Sequence, residues 1–525
     1  MATLNWIGKE AVANHDKEVP FKLLEKIPSA SVGKDSKNLI IHGDNLEALK
    51  ALMPHYRGRV KCIFIDPPYN TGNENWIYND KVNSPKIKKW LGVVVGRDDL
   101  TRHDKWLCMI YPRLYLLKQL LSRDGIIAVS IDDNELNNLG TVLDEIFGAE
   151  NRLACAPWLA EPSGGKEKTG LRGGHEYILI YHNGDDSSIS REVRSSGELN
   201  LKDKWGKYRK GRELLKWGGT SLRKDRPGQW FPLRTPDGIE VWPIKNDGEE
   251  GHWRWGKLQK MKSILDDPEV AHWERRSFDE GVKWQNLAER WVPYEKIRDV
   301  SKSVGWSTWL DSYGFNADAT RELKELFGKK PFDTPKPMSL IRWIISLHTD
   351  EDALVLDSFA GSGTTGHAVL DLNKDGGNRK FIMIEMEDKV AKDITAERIK
   401  RAIKKYDYAA GFEYCELAKP LFDEKGQIND ACSYNELATY IYFTETQTNL
   451  TKKAIKPPAI GVNADVSYYL IYDGKGKNDL TKEFLEKNKV SGTAVIYADR
   501  CLVDEDELKK RGVVFKQIPY EIKVY

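Results

Sequence analysis

The apolar positions of the chain follow two alternating rhythms. From residue 38 to residue 65, NLIIHGD, DNLEALKALMPHYRG and VKCIFI read as strand, helix and strand. Asp44 stands where the first strand ends and can cap the helix, and residues 60–65 form a short β-rich run suited to a buried parallel strand. A second unit follows. Leu107, Ile110, Leu114, Leu117 and Leu121 recur at three and four residues and share one helical face, although Pro112 is expected to kink or start that helix. GIIAVSIDD reads as the next strand, and Leu136, Leu139, Leu143 and Phe147 mark an amphipathic helix over 134–148. After Lys336 the alternation resumes: a helix over 338–347, the strand ALVLD, a glycine turn, a helix from Thr364, the strand KFIMIE and a basic helix over 388–406. Strands alternating with helices predict a doubly wound α/β sheet.

Residues 184–332 break this pattern. The stretch is cut by Gly and Pro, sustains neither period, and belongs to a region rich in tryptophan. Between Leu201 and Arg226 ten Lys or Arg stand against three acids. We expect an inserted domain there, facing a polyanion. A new alternation of strands and helices after the Pro457, Pro458 pair predicts a small C-terminal α/β domain. The expected partition is a 1–37 extension, a 38–183 first part, a 184–332 insertion, a 333–419 second part and a 420–525 C-terminal domain.

Composition narrows the class. A chain of 525 residues has room for three or four domains at about 150 residues each. With 40% hydrophobic and 30% charged residues it reads as globular rather than disordered or membrane-embedded. No apolar run approaches a membrane span and the first residues lack the apolar core of a signal peptide, so the expected location is cytoplasmic, with no membrane partner. Six scattered cysteines include no CxxC pair and no His cluster at zinc spacing, which favours reduced thiols and no metal. The net charge of +2 matters less than its uneven distribution.

Two constellations carry chemistry. In the first, a strand ends at Asp357 and a helix begins near Thr364. The small residues between them, with Phe359, Ala360, Gly361, Ser362 and Gly363, let a ligand approach the backbone at the carboxyl edge of the sheet. Glu385 ends the next strand, where a carboxylate can accept hydrogen bonds from two ribose hydroxyls. The pair points to a bound nucleoside. Gly361, Gly363 and Gly366 also satisfy GxGxxG, which leaves a dinucleotide-dependent oxidoreductase and a ligand-free tight turn open; a phosphate-binding P-loop fits poorly, because the turn has no lysine.

The second constellation is Asp66, Pro67, Pro68 and Tyr69, directly after a buried strand. Two prolines fix the backbone and remove two donors, so carbonyl oxygens and a carboxylate face a group that only donates hydrogen bonds. An exocyclic amine is such a group, and Tyr69 offers a face on which a planar base can stack. The plainer alternative is a strand stopped by prolines, with Tyr69 filling a gap.

DPPY at one strand end, FAGSGTT at another and an acid ending the next strand resemble the S-adenosylmethionine-dependent amino-methyltransferases of DNA. Their order, with a long insertion between them, is similar to the β group of that family. DPPYNTG, WLCMIYPRLYLLKQLLSRDGIIAVSIDDNEL, DEIFGAEN, HEYILIYHN and TPKPMSLIRWII resemble the modification subunits of type III restriction-modification systems and related solitary adenine methyltransferases. The likeness covers roughly 38–183 and 333–405 and loosens over NENWIYNDKV.

The resemblance implies a Rossmann-like methyltransferase sheet that takes S-adenosylmethionine and methylates N6 of a flipped adenine in double-stranded DNA. Asp66, Pro67, Pro68 and Tyr69 fall on the catalytic motif. Asp357, Phe359, Ala360, Gly361, Ser362, Gly363 and Thr364 fall on the cofactor loop, and Glu385 on the ribose-binding acid. Asp44 resembles the acid near the cofactor adenine, and Lys336 and Pro337 the element that closes over its methionine end. The insertion then becomes the target-recognition domain, with Lys202, Lys204, Lys207, Arg209, Lys210 and Arg212 on phosphates and Arg223 or Arg226 at base edges. Implied partners are duplex DNA, a nuclease or translocase restriction subunit and a second copy of the chain. The alternatives are N4 of cytosine, an RNA or protein amide acceptor, and a DNA-binding protein without catalysis. The family's tendency to carry DPPY for adenine and SPPY for cytosine favours adenine.

Overall fold

A computed structural model describes residues 3–33, 36–71, 102–165, 170–184, 189–195, 198–258, 260–298, 301–348, 351–422, 427–450, 455–474, 478–490 and 492–518; the loosely matching segment 73–82 lies outside them. Contacts divide the chain into two compact units, Met1–Ser190 with Ser307–Tyr525, and Arg191–Trp306.

The first unit is built on a nine-stranded sheet. In chain order its strands are β1 (Lys22–Lys26), β2 (Leu39–His42), β3 (Val60–Ile65), β4 (Leu121–Ile131), β5 (Arg152–Leu159), β6 (His175–His182), β7 (Leu354–Asp357), β8 (Lys380–Glu385) and β9 (Glu413–Pro420). In space the order is β1-β9-β2-β8-β7-β3-β4-β6-β5. The block from β9 to β4 is parallel, and β1, β6 and β5 run antiparallel to their neighbours. The parallel strands are covered on both faces, which is why VKCIFI and KFIMIE are mostly apolar, with Lys61, Lys380 and Glu385 only half-buried.

Helices α1 (Asn45–Tyr56), α2 (Arg102–Leu120), α3 (Leu136–Phe147), α4 (Met338–Ser346), α5 (Thr364–Leu372) and α6 (Glu397–Tyr406) flank the sheet. Asp44 caps α1, its Oδ1 accepting from the amides of Leu46 at 2.9 Å and Glu47 at 3.3 Å. Helix α2 neither starts nor stops at Pro112 but runs through it. Beside the proline, the buried Arg113 donates to the Met109 carbonyl at 2.6 Å. From β3 the chain passes through α2 to β4 on one side, and from β7 through α5 to β8 on the other. Adjacent parallel strands whose connections diverge leave a crevice at their carboxyl ends. Here that crevice lies between β3 and β7, where Leu356 pairs with Ile63.

Three expected boundaries change. Residues 22–26 are not a loose extension but the edge strand β1, paired with β9. The insertion is narrower than 184–332: Leu310 donates to the Pro157 carbonyl at 3.0 Å, and Arg401 of α6 donates to Leu326 at the end of the helix Asn316–Phe327, also at 3.0 Å. Residues 307–332 therefore fold with the first unit. The C-terminal region has its own four-stranded sheet, but Leu23 and Phe21 share the core of Leu437, Ile441 and Ile460, so it is continuous with the first unit.

The second unit holds a four-stranded antiparallel sheet, with spatial order Ala271–Ser277, Glu289–Ile297, Gly206–Glu213 and Leu201–Asp203. Its core gathers Leu214, Leu215, Phe231, Leu233, Trp253 and Met261. All six cysteines stand as free thiols. Among the described residues no helix is long and apolar enough to cross a membrane.

Candidate active site

The ends of β3, β7 and β8 open onto one cavity of about 700 Å³. Asp66, Pro67, Pro68 and Tyr69 line it, and so do Asp357, Phe359, Ala360, Gly361, Ser362, Thr364, Glu385 and Lys336. The two motifs lie far apart in the chain and meet because their parallel strands are neighbours.

On the β3 side one buried side-chain oxygen stands apart from a set of paired polar atoms. Lys336 Nζ donates to Asp66 Oδ2 at 2.8 Å and stands 3.4 Å from Glu176 Oε2. Asp66 Oδ1 is buried and has no hydrogen-bond partner among the described residues. The Tyr69 hydroxyl donates to Glu176 Oε2 at 2.8 Å and lies 2.5 Å from Ser130 Oγ, which fixes the ring, while Lys336 Nζ is 5.0 Å from its centroid. Burial, with the Asp66 and Glu176 charges, pushes the Tyr69 phenol well above its ordinary range. Pro68 departs from expectation: its carbonyl accepts from Trp106 Nε1 at 2.6 Å.

On the β7 side the loop is held from below. Asp357 accepts from the Phe359 amide at 3.0 Å and from Thr365 Oγ1 at 2.5 Å, and burial raises its pKa to about 7. Glu385 accepts from the Gly361 amide at 2.8 Å and the Glu387 amide at 3.0 Å; burial pushes its pKa up as well. Gly361 and Gly363 have φ of 48° and 76°, in the left-handed region. The fully buried Arg398 of α6 donates to Thr364 Oγ1 at 2.7 Å and Ser362 Oγ at 3.1 Å.

Not every expected residue reaches the cavity. Asp44 is committed to the α1 cap and lies 3.7 Å from Arg113, away from the lining. Pro337 is the N-cap of α4 and Gly363 that of α5. Lys336 sends its ammonium to the catalytic side, while its carbonyl accepts from Thr364 Oγ1 at 3.1 Å. Glu176, Trp106 and Arg398 escaped the sequence reading. A carboxylate opening the apolar run HEYILIY was the available signal for Glu176. Arg398 had none, being one cation in a basic helix.

The model of the DNA methylase family matches residues 60–397, a span that contains both motifs and the insertion. The chain belongs to the DNA methylase family. It is 34% identical to the EcoPI Mod subunit of a type III restriction-modification enzyme from Escherichia phage P1, over 77% of this chain and 68% of that one. It is 32% identical to the type II methyltransferase M.KpnI of Klebsiella pneumoniae, over 70% and 85%. With the EcoP15I Mod subunit of Escherichia coli the identity is 30%, over 79% and 71%.

In the second unit of this methylase the basic residues fall into two sets. Lys204 pairs with Glu269 at 2.5 Å, Lys210 with Glu274 at 2.7 Å and Arg223 with Glu250 at 2.8 Å. Lys202, Lys207, Arg212 and Arg226 are exposed and without an ion pair among the described residues. Arg209 is half-buried. Lys202 and Lys207 stand directly opposite each other across the hairpin. Among the described residues one group, His42, Asp388 and Glu416, has donor atoms close enough for a metal. The Lys392 ammonium already serves it, at 2.9 Å from Asp388 and 3.4 Å from Glu416.

Proposed function

We propose that this methylase transfers a methyl group from S-adenosylmethionine to N6 of an adenine flipped out of duplex DNA. The observation that carries the reading is the single cavity onto which the DPPY end of β3 and the glycine loop of β7 both open. When bound, S-adenosylmethionine supplies an electrophilic methyl on a sulfonium sulfur. The residues present fit it: Glu385 offers carboxylate lone pairs to a ribose diol, and the glycine loop lets a nucleoside lie against the backbone.

Asp66 Oδ1 is a buried acceptor awaiting a donor, and the Pro67 carbonyl is the second. An amine that donates to both is drawn out of conjugation with its ring, and its lone pair turns toward the methyl. Tyr69, its hydroxyl anchored, offers a fixed stacking face. Holding amine and methyl in line supplies about 7 kcal/mol or more of the barrier by positioning alone. Asp66 need not be a strong base, because the amine becomes acidic only as it gains the methyl.

Duplex DNA is read by the second unit. Like charges directly opposite on a hairpin oppose one another, and a phosphate backbone over Lys202 and Lys207 relieves that repulsion. Likeness to the Mod subunits of restriction-modification enzymes supports a restriction subunit as a partner. Sequencing DNA from cells that express the chain, with modified bases called, is the test. N6-methyladenine at one recurrent sequence is expected; N4-methylcytosine would overturn the choice of base, and unmodified DNA the function.

A further inference from the structure

We infer that Glu176 is a positioning residue of the transfer step, fixing the Asp66 carboxylate through Lys336 and the base-carrying ring through the Tyr69 hydroxyl. The inference rests on the function proposed above and concerns how its acceptor is aimed. Glu176 lies near the start of β6 and faces the cavity. One oxygen, Oε2, accepts from Tyr69 at 2.8 Å and lies 3.4 Å from the Lys336 ammonium, which donates to Asp66 Oδ2 at 2.8 Å. Ser130 on β4 secures the Tyr69 hydroxyl from the other side at 2.5 Å. The chain Ser130, Tyr69, Glu176, Lys336, Asp66 thus ties the ends of three strands to the loop before α4. Its outcome is selective: one Asp66 oxygen is committed to a cation and the other is left buried and unpartnered.

This arrangement holds Asp66 by one oxygen and leaves the other to accept from a ligand. The charged or titratable groups facing it are Lys336, Glu176, Tyr69 and Asp357. Lys336 alone among them is a cation. Burial works against its charge, but the Asp66 and Glu176 carboxylates outweigh burial and raise its pKa, so it stays protonated. The Asp66 carboxylate accepts a hydrogen bond from the neutral amine, and the nitrogen gives up its proton once it has gained the methyl and become cationic.

The test is kcat and the KM for S-adenosylmethionine at saturating DNA, for wild type, Lys336→Met, Lys336→Arg and Glu176→Gln. Lys336→Met is expected to lower kcat about tenfold or more, because Asp66 Oδ2 loses the donor that holds the carboxylate. Lys336→Arg returns kcat toward wild type. Glu176→Gln lowers kcat about tenfold or more while the KM for S-adenosylmethionine stays within a few fold. Calorimetric S-adenosylmethionine binding shows that each variant is folded. Wild-type kcat in Lys336→Met, with the whole loss in S-adenosylmethionine affinity, assigns the lysine to the cofactor and overturns the inference. Wild-type kcat in Glu176→Gln overturns it too. A wild-type enzyme that leaves DNA unmethylated fails the underlying function, a separate result.

Discussion

Asp357 shows how one residue joins fold and site. Its carboxyl closes the loop by accepting from Phe359 and Thr365, yet burial raises its pKa from 3.8 to about 7. The folded state therefore holds this proton more tightly than the unfolded chain between those values, and the residue's contribution to stability falls as pH rises through that window. Asparagine needs no ionisation. In thermal melts, wild type should gain on Asp357→Asn as pH is lowered from about 7.5 to about 5, and an unchanged gap would show that charge burial there costs little. At this scale adjacency decided what could be read. Asp66 to Tyr69 and the glycine loop are runs of neighbours whose joint chemistry is visible in one dimension. Glu176 and Lys336 meet Asp66 only because strands and a loop converge, and that meeting is not visible along the chain. Asp44 was legible as a cap from its place at the end of β2, and its Oδ1 does cap α1, 3.7 Å from Arg113.

Among the elements, the glycine turn and the helix behind it work as a pair. The helical run after β8 passes through a π-helical stretch, Ala391–Ala396, before α6. There Thr395 Oγ1 donates to the Gly361 carbonyl at 2.7 Å. π-helical turns recur at functional sites, and this one seats Thr395 under the loop. A Cβ on Gly363 would meet the Thr395 carbonyl oxygen at 3.1 Å, and its φ of 76° disfavours any side chain. Gly363→Ala should therefore lose about 1–2 kcal/mol of stability in denaturant titration and bind S-adenosylmethionine more weakly by calorimetry. The parallel strands were legible because both faces are buried and their sequences are mostly apolar. The sheet of the second unit was not. Its strands AHWERRS and ERWVPYEKI carry charge on both faces, and several tryptophans lie against cations, as Trp205 does with Lys204 at 4.2 Å and Trp291 with Arg275 at 5.0 Å. No binary pattern survives there to be read.

For the whole molecule, the parallel order β8-β7-β3-β4 brings residues from the two ends of the family match to one sheet edge. The insertion is tolerated because its flanks are fastened: Ser190 donates to the Leu347 carbonyl at 2.8 Å and Leu159 to the Leu310 carbonyl at 3.0 Å. Segments read as peripheral complete this unit, since β1 extends the sheet and Leu23 joins the C-terminal core. The central claim is that the shared cavity carries out methyl transfer, with Asp66 as the acceptor that orients the amine. Transfer of tritium from methyl-labelled S-adenosylmethionine to DNA, by wild type and Asp66→Ala, tests it most directly. Wild type should label DNA that digests to N6-methyl-2′-deoxyadenosine, and Asp66→Ala should lose about a hundredfold or more of that rate while binding S-adenosylmethionine within a few fold of wild type. Undiminished labelling by Asp66→Ala would contradict the account.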